Sequence, residues 1–331
     1  MKICIYGLGA IGGLLGARLA AAGEDVSAVT RRGATLTAVQ QRGLTLIETE
    51  ESGSHVRHIP IHAVEDPAEL GPQDLVIVAV KTTSLADAAQ RIGPLLGPGT
   101  TVLSAMNGVP WWFFHGLGPE FAGTPLPSVD RDGRLAAAIP MARIVGCVVH
   151  LSSATPAPGV VQHVIGNRLI IGEPTGGADT PRAQAVIAAL RRAGFDVEAS
   201  RQIQHDIWFK LLGNMTVNPV SAMTGATGDR ILADDLVRGF MSRCMLEAAA
   251  VGERIGIPVV GTPEDRHAVT RKMGAFRTSM LQDVEAGRKV ELDALVGTVR
   301  DIAQSVKVDT PNIDALFGLA RLHALVQGLY D

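Results

Sequence analysis

Three polar residues recur at four-residue spacing in a segment that is otherwise strongly apolar. Residues 205–219 read HDIWFKLLGNMTVNP, in which Lys210, Asn214 and Asn218 share one stripe if the segment is a helix. A helix that is apolar nearly all round is buried, and a buried amine or amide without a partner is unfavourable. The stripe therefore predicts a polar ligand. The Lys210 ammonium could donate a hydrogen bond, and then a proton, to a carbonyl oxygen.

The same stripe also has a purely structural interpretation. Lys210 could extend to solvent, and the asparagines could bond to the backbone. Asn218 precedes Pro219, so it could simply mark a helix end or a kink. The shared face of the three polar positions favours the ligand.

A glycine-rich turn at the N-terminus indicates a dinucleotide site. KICIYG (2–7) reads as a buried strand, and the next residues open an alanine- and leucine-rich helix. The motif consists of Gly7, Leu8, Gly9, Ala10, Ile11 and Gly12. Between a strand and a helix, such glycines permit a tight turn, the approach of a pyrophosphate and close helix packing. The helix N-terminus offers free N–H groups. The alternative is a glycine-rich turn without a ligand.

The residues after the second predicted strand bear on the type of cofactor. DVSAVT (25–30) is followed by Arg31 and Arg32, where NAD enzymes carry an acidic residue for the ribose 2′-hydroxyl. A guanidinium at this position accommodates a 2′-phosphate. We therefore expect NADP(H), with Arg31 as the first candidate and Arg32 as the second. The alternative is a pair of solvated surface arginines.

Two more polar residues follow predicted strands. Lys81 comes after the apolar run 74–80, and Asn107 comes after the run 100–106. Ligands of open α/β sheets bind at the carboxyl ends of strands, so both residues are candidate ligand contacts. The alternatives are a solvated lysine and an Asn-Gly turn.

A second polar cluster lies near the C-terminus. Ser279 and Asp283 are one helical turn apart, and Glu291 follows a break at Gly287. A carboxylate near Lys210 would favour its charged form, and Ser279 could bind a substrate carboxylate. Spacing alone favours exposed polar residues and a helix cap.

The elements that must position these residues alternate between strand and helix in the first hundred residues. Residues 84–96 read as a helix capped by Ser84, and residues 143–172 read as partly antiparallel strands. This order predicts an α/β fold: an N-terminal Rossmann-like, doubly wound, mostly parallel sheet. We assign residues 1–200 to an NADP-binding domain.

From about residue 202 the pattern is helical. It predicts one long helical segment over 231–256, a helix that Thr262 caps with Pro263 at its first position, and a helix over 290–306. Residues 201–331 are therefore expected to form an all-helical substrate and catalytic domain.

Composition excludes several classes of function. The net charge of −3 and the 4% aromatic content argue against nucleic-acid binding. No uninterrupted apolar run reaches membrane-spanning length, so we expect no membrane association. The three cysteines are widely spaced and form no CxxC pair, which indicates reduced thiols, a cytoplasmic location and no metal site.

The chain resembles the ketopantoate reductase family (2-dehydropantoate 2-reductases). The matching stretches keep the order of the family and are spread over most of the chain: GLGAIG, Arg31, Lys81, Asn107-Gly108, WFKLLGNMTVNP and SMLQDVEAGRKVELDALVG. The resemblance implies NADPH-dependent reduction of a 2-keto acid, 2-dehydropantoate (ketopantoate), to pantoate in the synthesis of pantothenate and coenzyme A.

The resemblance also implies roles for individual residues. Lys210 resembles the catalytic lysine, and Glu291 resembles the carboxylate that positions this lysine and the substrate. The remaining positions resemble ligand contacts: Asn214, Asn218 and Ser279 for the substrate, Asn107 for substrate and cofactor, and Lys81 for the nicotinamide half.

One stretch departs from the family pattern. Residues 110–140 are longer and more aromatic than a simple helix, and Trp111 to Phe114 could pack in the core, line the pocket or form a subunit contact. This stretch leaves open another 2-keto or hydroxy acid as the substrate, but it does not change the expected cofactor and reaction type. A separate alternative is a catalytically silent NADP-binding sensor, against which the stripe of Lys210, Asn214 and Asn218 argues. A homodimer is expected from general frequency alone.

Overall fold

Strands and helices alternate along the first part of the chain, as the sequence predicts. The computed structural model describes residues 1–50 and 53–331. It divides into two units: the first contains Met1–Met106 and Arg134–Ile203, and the second contains Asn107–Gly133 and Gln204–Asp331.

The first unit is built on a single sheet. Among the described residues this sheet has ten strands: β1 (Lys2–Tyr6), β2 (Asp25–Val29), β3 (Leu44–Glu50), β4 (Gly53–Ile59), β5 (His62–Val64), β6 (Gln73–Val78), β7 (Leu96–Ser104), β8 (Ile144–Ala157), β9 (Val160–Gly172) and β10 (Asp196–Ala199). Their order is β4-β3-β9-β8-β7-β6-β1-β2-β5, and β10 pairs with β9. The pairs β3–β4 and β8–β9 are antiparallel and the others are parallel, which confirms the mostly parallel sheet.

Helices follow in both units. Their bounds are α1 (Ala10–Ala21), α2 (Ala34–Arg42), α3 (Leu85–Arg91), α4 (Pro127–Asp130), α5 (Arg134–Ala138), α6 (Pro181–Arg192), α7 (Ile203–Thr224), α8 (Gly228–Ala233), α9 (Asp235–Arg254), α10 (Pro263–Arg271), α11 (Ser279–Glu285), α12 (Thr298–Ser305) and α13 (Pro311–Val326). The second unit is built from helices, as predicted. In the described part of the chain, no helix has both the length and the apolar character needed to cross a membrane.

The core of the first unit forms where α1 covers the sheet. Leu14, Leu15 and Leu19 are fully buried in one cluster with Ile5 of the sheet. Burying each such side chain stabilises the unit by about 1.5–3 kcal/mol. Cys4 follows Ile3 on β1 and is also fully buried, and burial raises the pKa of its thiol to about 12.

Several local predictions of helices need correction. The hydroxyl of Ser84 does not cap α3. The segment 231–256 is interrupted near its start, because the Asp234 carboxylate accepts from the Val237 N–H and begins α9 as a new helix. The helix predicted over 290–306 begins with a π-helical turn, Asp293–Gly297, before α12. The Thr262 cap is confirmed and forms a complete capping box with Asp265.

The predicted domains are contiguous, whereas the second unit also contains residues 107–133. Aromatic packing and a backbone hydrogen bond explain this grouping. The Phe113 ring lies 5.7 Å from the ring of Trp208 on α7, and the Val109 N–H donates to the Ala294 carbonyl at 2.9 Å. These contacts join residues that are far apart in the chain.

Candidate active site

The glycine turn after β1 is closely packed at Gly7 and Gly12 and has open space at Gly9. Gly7 has φ of +107°, and a Cβ there would lie 2.7 Å from Val80 Cγ1. A Cβ on Gly12 would lie 2.0 Å from the Gly7 carbonyl oxygen, so both positions require glycine. A Cβ on Gly9 would meet no atom within 4 Å. The turn is thus tightly packed towards the protein and open at Gly9, which fits the approach of a pyrophosphate.

The N-terminus of α1 also suits an anion. Gly9 is its N-cap, and the first turn has neither a capping side chain nor an acidic residue. Leu8 is buried, while Ala10 and Ile11 are partly buried. The N–H groups of this first turn and the positive end of the helix dipole can therefore hold a phosphate.

The two arginines after β2 are in different environments. Arg31 is exposed just beyond the end of the strand. Arg32 is also exposed, but its Nε donates to Glu65 Oε2 at 2.8 Å. Of the two, Arg31 is better placed to hold a 2′-phosphate, because binding through Arg32 would compete with its ion pair.

Lys81 and the glycine turn lie at the same end of the sheet, where the parallel strands have their carboxyl ends. Lys81 is partly buried and begins the short 3-10 helix Thr82–Ser84 after β6. Strands β6, β1 and β2 are parallel neighbours, so the residues that follow each strand lie at the same end of the sheet. Gly7, Arg31 and Lys81 are thereby gathered at the carboxyl ends of three adjacent strands.

In the second unit, α7 is a buried helix that carries the polar stripe. Trp208, Leu211 and Met215 are at most 2% exposed, and Trp208 Nε1 donates to the Ala248 carbonyl at 3.1 Å. The helix continues through Pro219 to Thr224, so the alternative of a helix end at Asn218 is wrong. Phe209 is an exception to the burial, because 43% of it is exposed.

The structure brings Lys210 and Asn107 together. The Lys210 Nζ donates to the Asn107 side-chain oxygen at 2.8 Å, although the residues are 103 positions apart. Lys210, Asn107 and Asn214 are partly buried, and Asn218 is 6% exposed. A lysine ammonium has three N–H donors, so it can bond to more than one acceptor.

A π-helical turn holds the segment that carries Asn107. The Ala294 carbonyl in this turn accepts the hydrogen bond from Val109. Gly108 has φ of +81°, and a Cβ there would lie 2.5 Å from the same carbonyl oxygen. Glu291 is partly buried and precedes this turn. The Asn107 and Glu291 segments are thus attached to each other, and π-helical turns are frequent at functional sites.

We expect Gly108→Ala to displace Asn107 and lower both stability and activity. The new methyl meets the Ala294 carbonyl, and the left-handed backbone adds about 1–2 kcal/mol of strain. Gly274→Ala is the control, because Gly274 has φ of +63° but open space around its Cβ position. The melting temperature and kcat of both variants are measured. A Gly108→Ala enzyme with the stability and kcat of the control would contradict this role of the turn.

Hydrogen bonding near the C-terminus stabilises the π-helical turn. The Tyr330 hydroxyl donates to Asp293 Oδ1 at 2.5 Å, and the Thr298 hydroxyl donates to the Asp293 carbonyl at 3.0 Å. Burial raises the pKa of the Asp293 carboxyl and also that of the Tyr330 hydroxyl. These contacts fix the start of the helical segment that follows Glu291.

Ser279 is the exposed first residue of α11. The cap of this helix is Thr278, whose hydroxyl accepts from the Leu281 N–H at 3.1 Å. Asp283 is buried, and its Oδ1 accepts from Arg288 Nε at 3.0 Å. Thr278 therefore caps the helix in place of Ser279, and Asp283 stabilises the end of α11 through this ion pair.

The aromatic stretch after Asn107 packs in the core. Trp111, Trp112, Phe113 and Phe114 are each at most 6% exposed. Phe114 also stacks on Phe121, with ring centroids 5.4 Å apart. Of the three interpretations of these aromatic residues, the structure supports packing in the core.

Comparisons with known proteins agree with the fold and the motifs. The sequence pattern of ketopantoate reductase PanE/ApbA matches residues 3–176, and that of its C-terminal part matches residues 202–324. A 2-dehydropantoate 2-reductase from Mesorhizobium japonicum is 42% identical over 331 residues, which is 100% of both chains. A ketopantoate reductase candidate from Ralstonia solanacearum MolK2, solved by crystallography, is 55% identical, covers 99% of both chains and has a TM-score of 0.93.

A more distant structure shares the fold alone. A D-mandelate dehydrogenase solved with NADH and anilino(oxo)acetate is 20% identical, with a TM-score of 0.83 over 99% of this chain and 100% of that chain. The matched patterns and the full-length relative, by contrast, extend to the sequence itself. The chain therefore belongs to the ketopantoate reductase family of oxidoreductases.

Proposed function

We propose that this protein reduces 2-dehydropantoate to pantoate with NADPH. The observation that carries the proposal is the hydrogen bond from Lys210 to Asn107, which fixes an ammonium on the polar stripe of α7. The full-length relative at 42% identity is a 2-dehydropantoate 2-reductase, which supports the choice of substrate. Arg31 after β2 supports NADPH as the cofactor.

The first unit would bind the cofactor in this proposal. The open side of the glycine turn at Gly9 and the N–H groups of α1 would hold the pyrophosphate. Arg31 would hold the 2′-phosphate, and Lys81 would contact the nicotinamide half. The bound nicotinamide would supply a hydride to the keto carbon.

The second unit would supply the proton and bind the substrate. Lys210 would donate a hydrogen bond to the keto oxygen and transfer its proton as the carbon–oxygen double bond becomes a hydroxyl. Asn107 would orient the ammonium through the 2.8 Å contact, and Glu291 would position lysine and substrate. Asn214, Asn218 and Ser279 would donate hydrogen bonds to the oxygens of the keto acid. One keto acid, one NADPH and one proton give one hydroxy acid and NADP⁺.

Turnover of the purified chain tests the proposal. The loss of nicotinamide absorbance is followed with NADPH and ketopantoate, and then with pyruvate, 2-oxoisovalerate and benzoylformate. We expect the highest kcat/KM with ketopantoate. Faster turnover of another acid would show a different substrate, and tight NADPH binding without any turnover would indicate a cofactor sensor.

Two further properties belong to the proposal. We expect a cytoplasmic enzyme, because the three cysteines are widely spaced and form no CxxC pair, a pattern typical of a reducing compartment. We also expect a homodimer, which sedimentation equilibrium of the purified chain can detect.

A further inference from the structure

Arg266 places a guanidinium against the helix that carries Lys210. It lies on α10, and its Cζ is 5.5 Å from the centroid of the Phe209 ring. A Cβ on Gly213 would lie 2.4 Å from Arg266 Nη2 and 2.7 Å from Cζ. The guanidinium therefore occupies the space that a side chain at position 213 would fill, and position 213 lies three residues after Lys210 on the same helix.

Among the described residues, no carboxylate forms an ion pair with the Arg266 guanidinium. Arg266 is partly buried, and its Nε is buried without a hydrogen-bond partner among the described residues. Desolvation lowers the pKa of the guanidinium, and no carboxylate opposes this effect. Arg18 and Arg182, by contrast, each pair with a glutamate. Removing a cation from water without a counter-charge is unfavourable, so an anionic ligand would stabilise this arrangement.

We propose that Arg266 supplies the positive charge of the subsite that binds the carboxylate of the 2-keto acid. This inference rests on the proposed function. In a 2-keto acid the carboxylate carbon is bonded to the keto carbon, so its counter-charge must lie close to the group that protonates the keto oxygen. Gly213 is three residues after Lys210, about 4.5 Å along the helix axis. The planar guanidinium suits a carboxylate, to which it can donate two parallel hydrogen bonds.

The subsite makes a prediction about selectivity. Ketopantoate and its lactone present the same keto group, but only the acid carries a carboxylate. A positive charge at Arg266 strengthens the binding of the acid and contributes little to the binding of the neutral lactone. An arginine that only packs on Phe209 would affect both compounds alike.

The test compares four variants with the wild type. Arg266→Met removes the charge and keeps much of the aliphatic length, and Arg266→Lys restores a charge. Gly213→Ala adds a methyl that displaces the flexible end of Arg266 while improving helix propensity. Arg271→Met is the control, because Arg271 lies on the same helix, is exposed and pairs with Glu264. The kcat/KM of the acid and the lactone is measured with NADPH, with inhibition constants used where turnover is undetectable.

We expect Arg266→Met to lower kcat/KM for the acid by about 10- to 100-fold, as for a lost hydrogen bond between charged groups. The kcat/KM for the lactone should change by less than about threefold, and the KM of NADPH should not change. Gly213→Ala should act in the same direction, Arg266→Lys should recover part of the loss, and Arg271→Met should resemble the wild type. An unchanged ratio of acid to lactone in Arg266→Met would overturn the inference.

Failure of the proposed function gives a different result. In that case the wild type reduces neither ketopantoate nor its lactone. Calorimetric binding of pantoate to the wild type and to Arg266→Met then decides the subsite. Weaker binding to the variant supports the subsite, whereas equal binding to both proteins, or none to the wild type, overturns it.

Discussion

Replacing Lys210 by alanine lowers kcat for ketopantoate by about 10²- to 10⁴-fold and leaves the Kd of NADPH within about twofold. The variant loses the only proton donor that the proposed mechanism assigns to the keto oxygen. The cofactor contacts are assigned to the glycine turn and Arg31, so cofactor affinity should not depend on this side chain. Rapid-mixing kinetics gives kcat, and fluorescence titration gives the Kd of NADPH.

Two controls separate chemistry from charge and folding. Lys210→Arg keeps a cation whose pKa is too high for easy proton transfer, so it should recover little of kcat. Lys272→Ala removes an exposed lysine just after α10 and should leave kcat unchanged. A Lys210→Ala enzyme that keeps more than about a tenth of the wild-type kcat would exclude Lys210 as the proton donor.

Replacing Arg31 by alanine weakens NADPH binding by about 10- to 100-fold and changes NADH binding by less than about threefold. The two cofactors differ in the 2′-phosphate, to which an exposed guanidinium after β2 can donate charged hydrogen bonds. The Kd of both cofactors is measured by calorimetry at one fixed salt concentration, because salt screens exposed charges.

Arg32→Ala is the matched control for this experiment. Its guanidinium is paired with Glu65, and we expect its removal to weaken NADPH binding much less than that of Arg31. Equal losses for NADPH and NADH in Arg31→Ala would show that this arginine does not recognise the 2′-phosphate.

Local sequence patterns predicted much of the first unit. The strand before Gly7, the helix after it and the apolar run that became β6 are each recognisable from a few neighbouring residues. The hairpin of β3 and β4 was missed because its second strand is mostly exposed, so it lacks the apolar alternation of a half-buried strand. The break before α9 was missed because one side chain, Asp234, begins the new helix.

The candidate site depends on contacts that no local pattern contains. The stripe on α7 is visible in the sequence, but its hydrogen bond to Asn107 joins residues 103 positions apart. The grouping of residues 107–133 with the second unit likewise depends on Phe113 packing against Trp208. Arg266 was not singled out, because a sequence does not show whether a charged residue has a partner.

A single-turnover experiment tests the central claim most directly. The enzyme is loaded with NADPH that carries deuterium at the transferable position, mixed with ketopantoate and quenched at increasing times. Mass spectrometry then measures deuterium on the former keto carbon. We expect labelled pantoate from the wild type and a rate at least about 100-fold lower from Lys210→Ala. Unlabelled product from the wild type, or equal rates from the two enzymes, would contradict the account.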